Sequence, residues 1–353
     1  MQKGSTPHRL AIGGPALITA MPKYWMISNR AVKNGAPTTS LGPLNYYVSD
    51  NGPLDVFGNW QKVTPGNFQK LLIAAADAFP ALDHDEHASQ RHVTFFIHGY
   101  NNTWQGAAQR YQQIATDLFS GTNSLGLCIS FDWPSLGSVL GYLPDREHAR
   151  QCASDLADVL SALYDWLLDK QADAAADPKK ACKAKVSVIA HSMGNYLLQK
   201  AMASVWTRKN QPLLVSLVNQ LLMVAADVDN DLFDPGSDDA TDGTATANLT
   251  YRVTALYSGR DNVLGASSGL KHFGTRRLGR SGLASRPPEG KDNVWDTDCS
   301  TFFPPSVGGM DIHSAYFETP AVQALMRELL KGTDRTVLAT QGMLTGNAWP
   351  AKK

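Results

Sequence analysis

Three residues in this chain have the types and the order that acyl transfer needs: Ser192, Asp261 and His313. A serine hydroxyl is a poor nucleophile near neutral pH. It needs an imidazole to take its proton and a carboxylate to hold that imidazole in the correct tautomer. Ser192 lies in Ala190-His191-Ser192-Met193-Gly194, which fits the nucleophile-elbow pattern G-x-S-x-G except that alanine replaces the first glycine. Alanine is still small enough for close strand–helix contact. The run Lys185–Ile189 before it alternates β-branched residues and predicts a buried strand, and Tyr196–Met202 after it predicts a helix. At such a turn the first free amides of the helix point outward, and with the helix dipole they favour the negative oxygen of a tetrahedral intermediate.

The partners follow in the order Ser, Asp, His, the order of α/β-hydrolases and not of the two other common serine-protease arrangements. Asp261 comes after a strand predicted at Tyr251–Tyr257, and His313 lies between a last short strand at Asn293–Asp296 and a closing helix at Pro320–Lys331. Asp227 and Asp229 end the intervening strand Asn219–Ala225 and compete with Asp261 for the role of the acid. His272 and His191 compete with His313, although His191 adjoins the nucleophile and cannot readily swing round to serve it. The two oxyanion-hole amides are expected from Met193 and from Tyr100, just after the His98-Gly99 turn. Trp133 and Tyr142, with the aliphatic loop Leu136–Leu143, are candidates to line an apolar or aromatic substrate pocket, with the hydrophobic core as their alternative place.

The elements that must position these groups can be read in order. A first strand is expected at Lys23–Ser28 and a second at Asn45–Val48, then a helix at Asn67–Phe79. Val93–Ile97 is a largely apolar run, as a buried parallel strand requires, and ends at His98-Gly99-Tyr100-Asn101-Asn102. A helix from about Gln105 to Phe119, a strand at Leu125–Phe131 and a long amphipathic helix from about Asp145 to Lys170 precede the elbow. Strands alternating with helices argue for a mostly parallel sheet covered on both faces. Asp83–His87 and the acidic stretch Asp229–Thr244 carry metal-ligand residue types without a fixing geometry, so a solvated loop and an exposed insertion are expected, with no metal. Arg276, Arg277 and Arg280 are expected to be solvated in a Gly-rich loop.

Composition bounds the rest. The 353 residues carry 32 Lys plus Arg against 32 Asp plus Glu, so no net charge draws the chain to nucleic acid or anionic lipid. No apolar run approaches the roughly 18–20 residues that span a bilayer. The four cysteines are scattered, and Cys128 falls inside a predicted strand, where it is expected as a small core residue. Residues 1–20 look weakly like a signal peptide, but Gly13-Gly14-Pro15 breaks the helix such a segment forms. The expectation is a loosely attached leader on a cytoplasmic protein, with export as the alternative, one α/β-hydrolase domain over 21–332 with insertions near 229–250 and 283–300, and a peripheral tail at 333–353.

The runs Phe95–Asn102, Asp132-Trp133-Pro134-Ser135, Ala190–Asn195 and Ser258-Gly259-Arg260-Asp261, with His313-Ser314-Ala315-Tyr316-Phe317, resemble the DUF900 family of α/β-hydrolases over about residues 23–330. The resemblance implies a Ser-Asp-His hydrolase with esterase or lipase-like activity, the nucleophile on Ser192, the base on His313 and the acid on Asp261. The acidic insertion and Leu283–Gly290 depart from the compact family pattern. Such chemistry calls for no cofactor and for a small-molecule or lipid-like ester as substrate. A thioesterase or peptidase would use the same groups, and a catalytically silent scaffold that binds a ligand or partner is the contrasting expectation.

Overall fold

The computed structural model describes residues 21–80, 90–136, 141–177, 182–208, 216–271 and 274–344. The leader 1–20, the Asp83–His87 stretch, residues 137–140 of the Leu136–Leu143 loop, His272 and the end of the tail lie outside them.

Apolar runs that bury both faces become the centre of a nine-stranded sheet. The strands are β1 (Tyr24–Lys33), β2 (Ala36–Ser49), β3 (Gln61–Val63), β4 (Arg91–Ile97), β5 (Gly126–Asp132), β6 (Ala184–His191), β7 (Val218–Val224), β8 (Thr250–Tyr257) and β9 (Val294–Asp298), in the order β3-β2-β1-β5-β4-β6-β7-β8-β9. From β1 through β9 every neighbouring pair in that order is parallel. Only the β1–β2–β3 edge is antiparallel. Asn34 and Gly35, both with positive φ, make the tight turn that joins β1 to β2.

Among the described residues ten helices cover the sheet: α1 (Pro65–Asp77), α2 (Trp104–Phe119), α3 (Tyr142–Ala176), α4 (Gly194–Arg208), α5 (Ala240–Asn248), α6 (Asn262–Lys271), α7 (Leu278–Ser281), α8 (Ile312–Ala315), α9 (Pro320–Lys331) and α10 (Arg335–Thr340). On one face α3 and α4 press Leu156, Leu160, Leu197 and Met202 into a core with Val93, Val188 and Leu221. On the other, α2 and α9 press Tyr111, Ile114, Leu325 and Leu329 against Met26, Phe96 and Leu222. This is the α/β-hydrolase architecture, a mostly parallel sheet between two helical layers.

Several expectations are corrected. The acidic stretch after Asp229 is not an exposed insertion: Leu232 and Phe233 are buried, and Asp242 pairs with Lys200 of α4 at 2.6 Å. Residues 283–300 are not wholly an insertion, since they hold the short strand expected at Asn293–Asp296 as β9, with Val294 and the following Cys299 fully buried. The tail is not wholly peripheral, since α10 places Leu338 in the core. Arg277 is buried, not solvated, and forms ion pairs with Asp227 at 2.9 Å and with Asp229. All four cysteines are free thiols, with Cys128 buried in β5 as expected.

Charge also enters the sheet at its β1–β5 seam. Arg30 of β1 is 1% exposed, and its Nε donates to Asp132 Oδ1 at 2.9 Å. Ser28 Oγ donates to the other carboxylate oxygen at 2.7 Å. Burial by itself would raise the Asp132 pKa, but Arg30, His98 and Ser28 outweigh it and hold the carboxyl below its usual range. Removing one member of a buried pair leaves the other charge stranded, at a cost of about 3–5 kcal/mol. Asp132→Asn is therefore expected to lower the urea-unfolding free energy by about that much at pH 7. Because the folded-state pKa is depressed, the contribution is present above the unfolded carboxyl value of about 3.9 and lost as pH falls through the folded one. The gap between wild type and variant should then close toward acid pH. A gap that does not change with pH would contradict the pairing.

Candidate active site

The elbow is built by backbone contacts before any side chain is considered. Ser192 has φ +52, a left-handed conformation that costs a non-glycine residue about 1–2 kcal/mol. Neighbouring strand ends enforce it: Ser192 N–H donates to the Val224 carbonyl at 3.0 Å, and Asp227 N–H to the Ser192 carbonyl at 3.2 Å. Two glycines make room. A Cβ on Gly194 would lie 2.6 Å from the His98 carbonyl oxygen, and one on Gly99 would lie 2.6 Å from the Ser192 Cβ. The loop after β4 is thus pressed against the turn after β6, with Met193 buried at the head of α4.

The structure brings Ser192, His313 and Asp261 together. His313 Nε2 is 2.8 Å from Ser192 Oγ, and its Nδ1 is 2.7 Å from Asp261 Oδ2. A carboxylate only accepts, so Nδ1 carries the proton and Nε2 is left to accept from the serine hydroxyl. Asp261 has no exposed surface; its Oδ1 accepts from Leu264 N–H at 3.0 Å and its backbone carbonyl from Arg280. Asp227 and Asp229 do not reach the imidazole. Asp227 accepts from Arg277 Nε at 2.9 Å, Tyr142 Oη at 2.8 Å and Ser267 Oγ at 3.0 Å.

His191, set aside as a base, has a structural part. Its Nε2–H donates to the His313 backbone carbonyl at 2.8 Å, with the rings 4.9 Å apart. Burial, helped by the neighbouring His313 and Arg110, pushes its pKa well below the usual imidazole value, so it stays neutral while making that bond.

The loop carrying Tyr100 is held from several sides. Asn102 Nδ2 donates to the Gly99 and Tyr100 carbonyls at 3.0 and 3.1 Å, and Asn102 N–H donates to Ser135 Oγ at 3.2 Å. Ser135 Oγ in turn donates to Asp145 of α3 at 2.5 Å. Arg30 reaches the same loop, its Nη2 donating to the Asn102 carbonyl at 3.3 Å. Neither Arg30 nor Asp145 announces this role in the sequence, because each comes from an element distant in the chain.

The two substrate-lining candidates fall elsewhere. Trp133 is 0% exposed, stacked on His98 at 5.3 Å, with its Nε1–H donating to the His98 carbonyl at 2.8 Å. Tyr142 is buried against Tyr100, and its hydroxyl is tied to Asp227. Both support the loop from below and offer a ligand almost no surface. The open space beside His313 is a cleft of about 540 Å³ between α2, the 98–102 loop and α8.

Residues 81–328 match the model of a family described as "Alpha/beta hydrolase of unknown function (DUF900)", more than half of the chain. The chain belongs to this family. The match leaves out the β1–β3 edge and α1, so Arg30 lies beyond it. An uncharacterized protein, alr1448, of Nostoc sp. is 29% identical over 129 residues, which are 31% of this chain and 30% of that protein. The match spans less than a third of that relative's length. Among solved structures, a hyperthermophilic esterase from the archaeon Pyrobaculum calidifontis aligns with a TM-score of 0.35 at 9% identity, covering 87% of this chain and 85% of that one. An acylaminoacyl peptidase from Pyrococcus horikoshii aligns with a TM-score of 0.30 at 12% identity, covering 89% and 48%.

A methyl group at Gly99 tests the packing of the two loops. Gly99→Ala is expected to cost about 1–3 kcal/mol of stability in urea unfolding, as overpacking of a closed site does. A neutral effect would show that the loop and the elbow are less tightly apposed than described.

Proposed function

We propose that this chain is a serine hydrolase of carboxylic esters, with Ser192 as nucleophile, His313 as general base and acid, and Asp261 as the carboxylate that orients it. The observation that carries this reading is the unbroken run of two hydrogen bonds, 2.8 and 2.7 Å, from the Ser192 hydroxyl through His313 to Asp261. In the first half-reaction Ser192 Oγ attacks the ester carbonyl as His313 Nε2 takes its proton. His313 returns that proton to the leaving alcohol as the tetrahedral intermediate collapses to an acyl-enzyme. Water, deprotonated by the same nitrogen, then releases the acid. Asp261 keeps Nδ1 protonated throughout and stabilises the imidazolium.

The negative oxygen of each intermediate would be met by the backbone N–H of Met193 and that of Tyr100. The first sits just before the helix that follows the nucleophile, and the second on the loop that Gly99 brings against Ser192. A silent scaffold has no need of a left-handed serine hydrogen-bonded to a histidine that is itself bonded to a buried carboxylate.

The test is hydrolysis of 4-nitrophenyl acetate. Wild type should turn it over with burst kinetics or saturation, and Ser192→Ala and His313→Ala should each lower kcat by a factor on the order of 10⁴ or more. Asp261→Asn should cost about 10³–10⁴, because it favours the wrong tautomer of His313. Hydrolysis that survives Ser192→Ala, or an Asp261→Asn variant as active as wild type, would overturn the assignment.

A further inference from the structure

We infer that the ester taken by this site is anionic, its negative charge seated against Arg110 of α2 in the cleft beside His313; this deepens the hydrolase reading and rests on it. The cleft differs from the apolar pocket expected of an enzyme for long acyl chains. Asn101, Asn102, Gln109 and Gln113 supply much of its wall, and apart from histidines Arg110 is the only charged side chain among the described residues that line it. No carboxylate lines it among the described residues. Small-molecule sites are lined mainly by apolar side chains, with few polar groups. A wall of amides and one cation is suited to a polar, negatively charged ligand.

Among the described residues, the apolar cavity lies away from the nucleophile. The apolar cavity between α1 and α3 is lined by Leu72, Leu163 and Trp166, and it meets the sheet at Val93 and Val186, the first halves of β4 and β6. Ser192 follows the far end of β6, roughly 20 Å from Val186 at the rise of a strand.

Arg110 is held ready without being used up. Its Nη1 donates to Gln113 Oε1 at 2.8 Å, and its guanidinium lies 5.4 Å above the Phe317 ring. Phe317 packs edge-on against His191 at 5.3 Å, which bonds the His313 backbone, so the cation stands one ring away from the site. Its charge is felt there, being among the causes that lower the His191 pKa, after burial and His313. Among the described residues the carboxylate paired with Arg110 is that of Glu318, at 3.0 Å, and that side chain is 59% exposed. Exposed pairs of this kind contribute little, so a substrate carboxylate that loses water on entering the cleft can compete for the guanidinium.

The matched pair 4-acetoxybenzoate and 4-acetoxybenzamide tests this, since both present the same acetyl ester and differ in charge at the far end of the ring. Wild type should favour the benzoate in kcat/KM by roughly fivefold or more, chiefly through KM. Arg110→Gln should bring the ratio close to one. Glu318→Gln, a change at an exposed side chain, should move it the other way by freeing the guanidinium. Equal use of the two esters by wild type, or a ratio that neither substitution moves, would overturn the inference and leave the hydrolase reading standing. If neither ester is turned over, protection of Ser192 from a fluorophosphonate by 4-hydroxybenzoate and by 4-hydroxybenzamide reads the same preference. Stronger protection by the anion supports the inference, and equal protection sinks it. No labelling of Ser192 at all would remove the hydrolase reading and this inference together.

Discussion

The hydrogen bond between the Ser192 hydroxyl and His313 Nε2 joins groups 121 positions apart, and the rest of the architecture can be understood as what permits it. Parallel strands deliver their following loops to one edge of the sheet. β6 delivers the serine there, β8 the carboxylate, and the segment after β9 the imidazole. A bond of 2.8 Å tolerates little error, so the turn after β6 must be fixed independently of the partner it meets. The Val224 carbonyl and the Asp227 amide do this, holding Ser192 in a left-handed conformation that a free chain would avoid.

The same edge is braced from beneath by charge. Arg30 and Asp132 are both buried, and such a pair is a poor source of stability compared with apolar residues of the same volume. What it supplies is position. The guanidinium bonds the Asp132 carboxylate and the carbonyls of Asn102 and Ser135 at once, so one side chain from the antiparallel edge ties β5 to the loop that carries Tyr100. A second bracket, from Asp145 through Ser135 to Asn102, ties that loop to α3. The β1–β2 hairpin, which lies outside the segment matched by the family model, thus takes part in shaping the site.

Much of this was legible in the sequence, for a physical reason. Strands such as Arg91–Ile97 and Val218–Val224 are buried on both faces over most of their length and so end in largely apolar runs, and the elbow's small residues and serine sit where one such run ends. What escaped depends on partners distant in the chain. Asp227, Asp229 and Asp261 all follow strand ends and look alike in one dimension. Only the fold puts Arg277 against the first two and His313 against the third. Arg277 itself resembled a solvated residue because its loop is rich in glycine. Trp133 and Tyr142 resembled pocket walls because an aromatic beside a catalytic motif reads the same whether it faces the cleft or the core. β2 extends well beyond the expected Asn45–Val48 because its first half, Ala36–Gly42, is polar and lies on an edge, where pairing with β1 decides the conformation.

The claim on which the account turns is that the hydroxyl at the elbow is activated by the imidazole it touches. Reaction of the intact chain with a fluorophosphonate, followed by peptide mass spectrometry, tests it most directly. The account predicts a single phosphonyl adduct on Ser192, formed quickly in wild type and at a rate reduced by orders of magnitude in His313→Ala. An adduct on another residue, or unchanged labelling of Ser192 after His313 is removed, would contradict it.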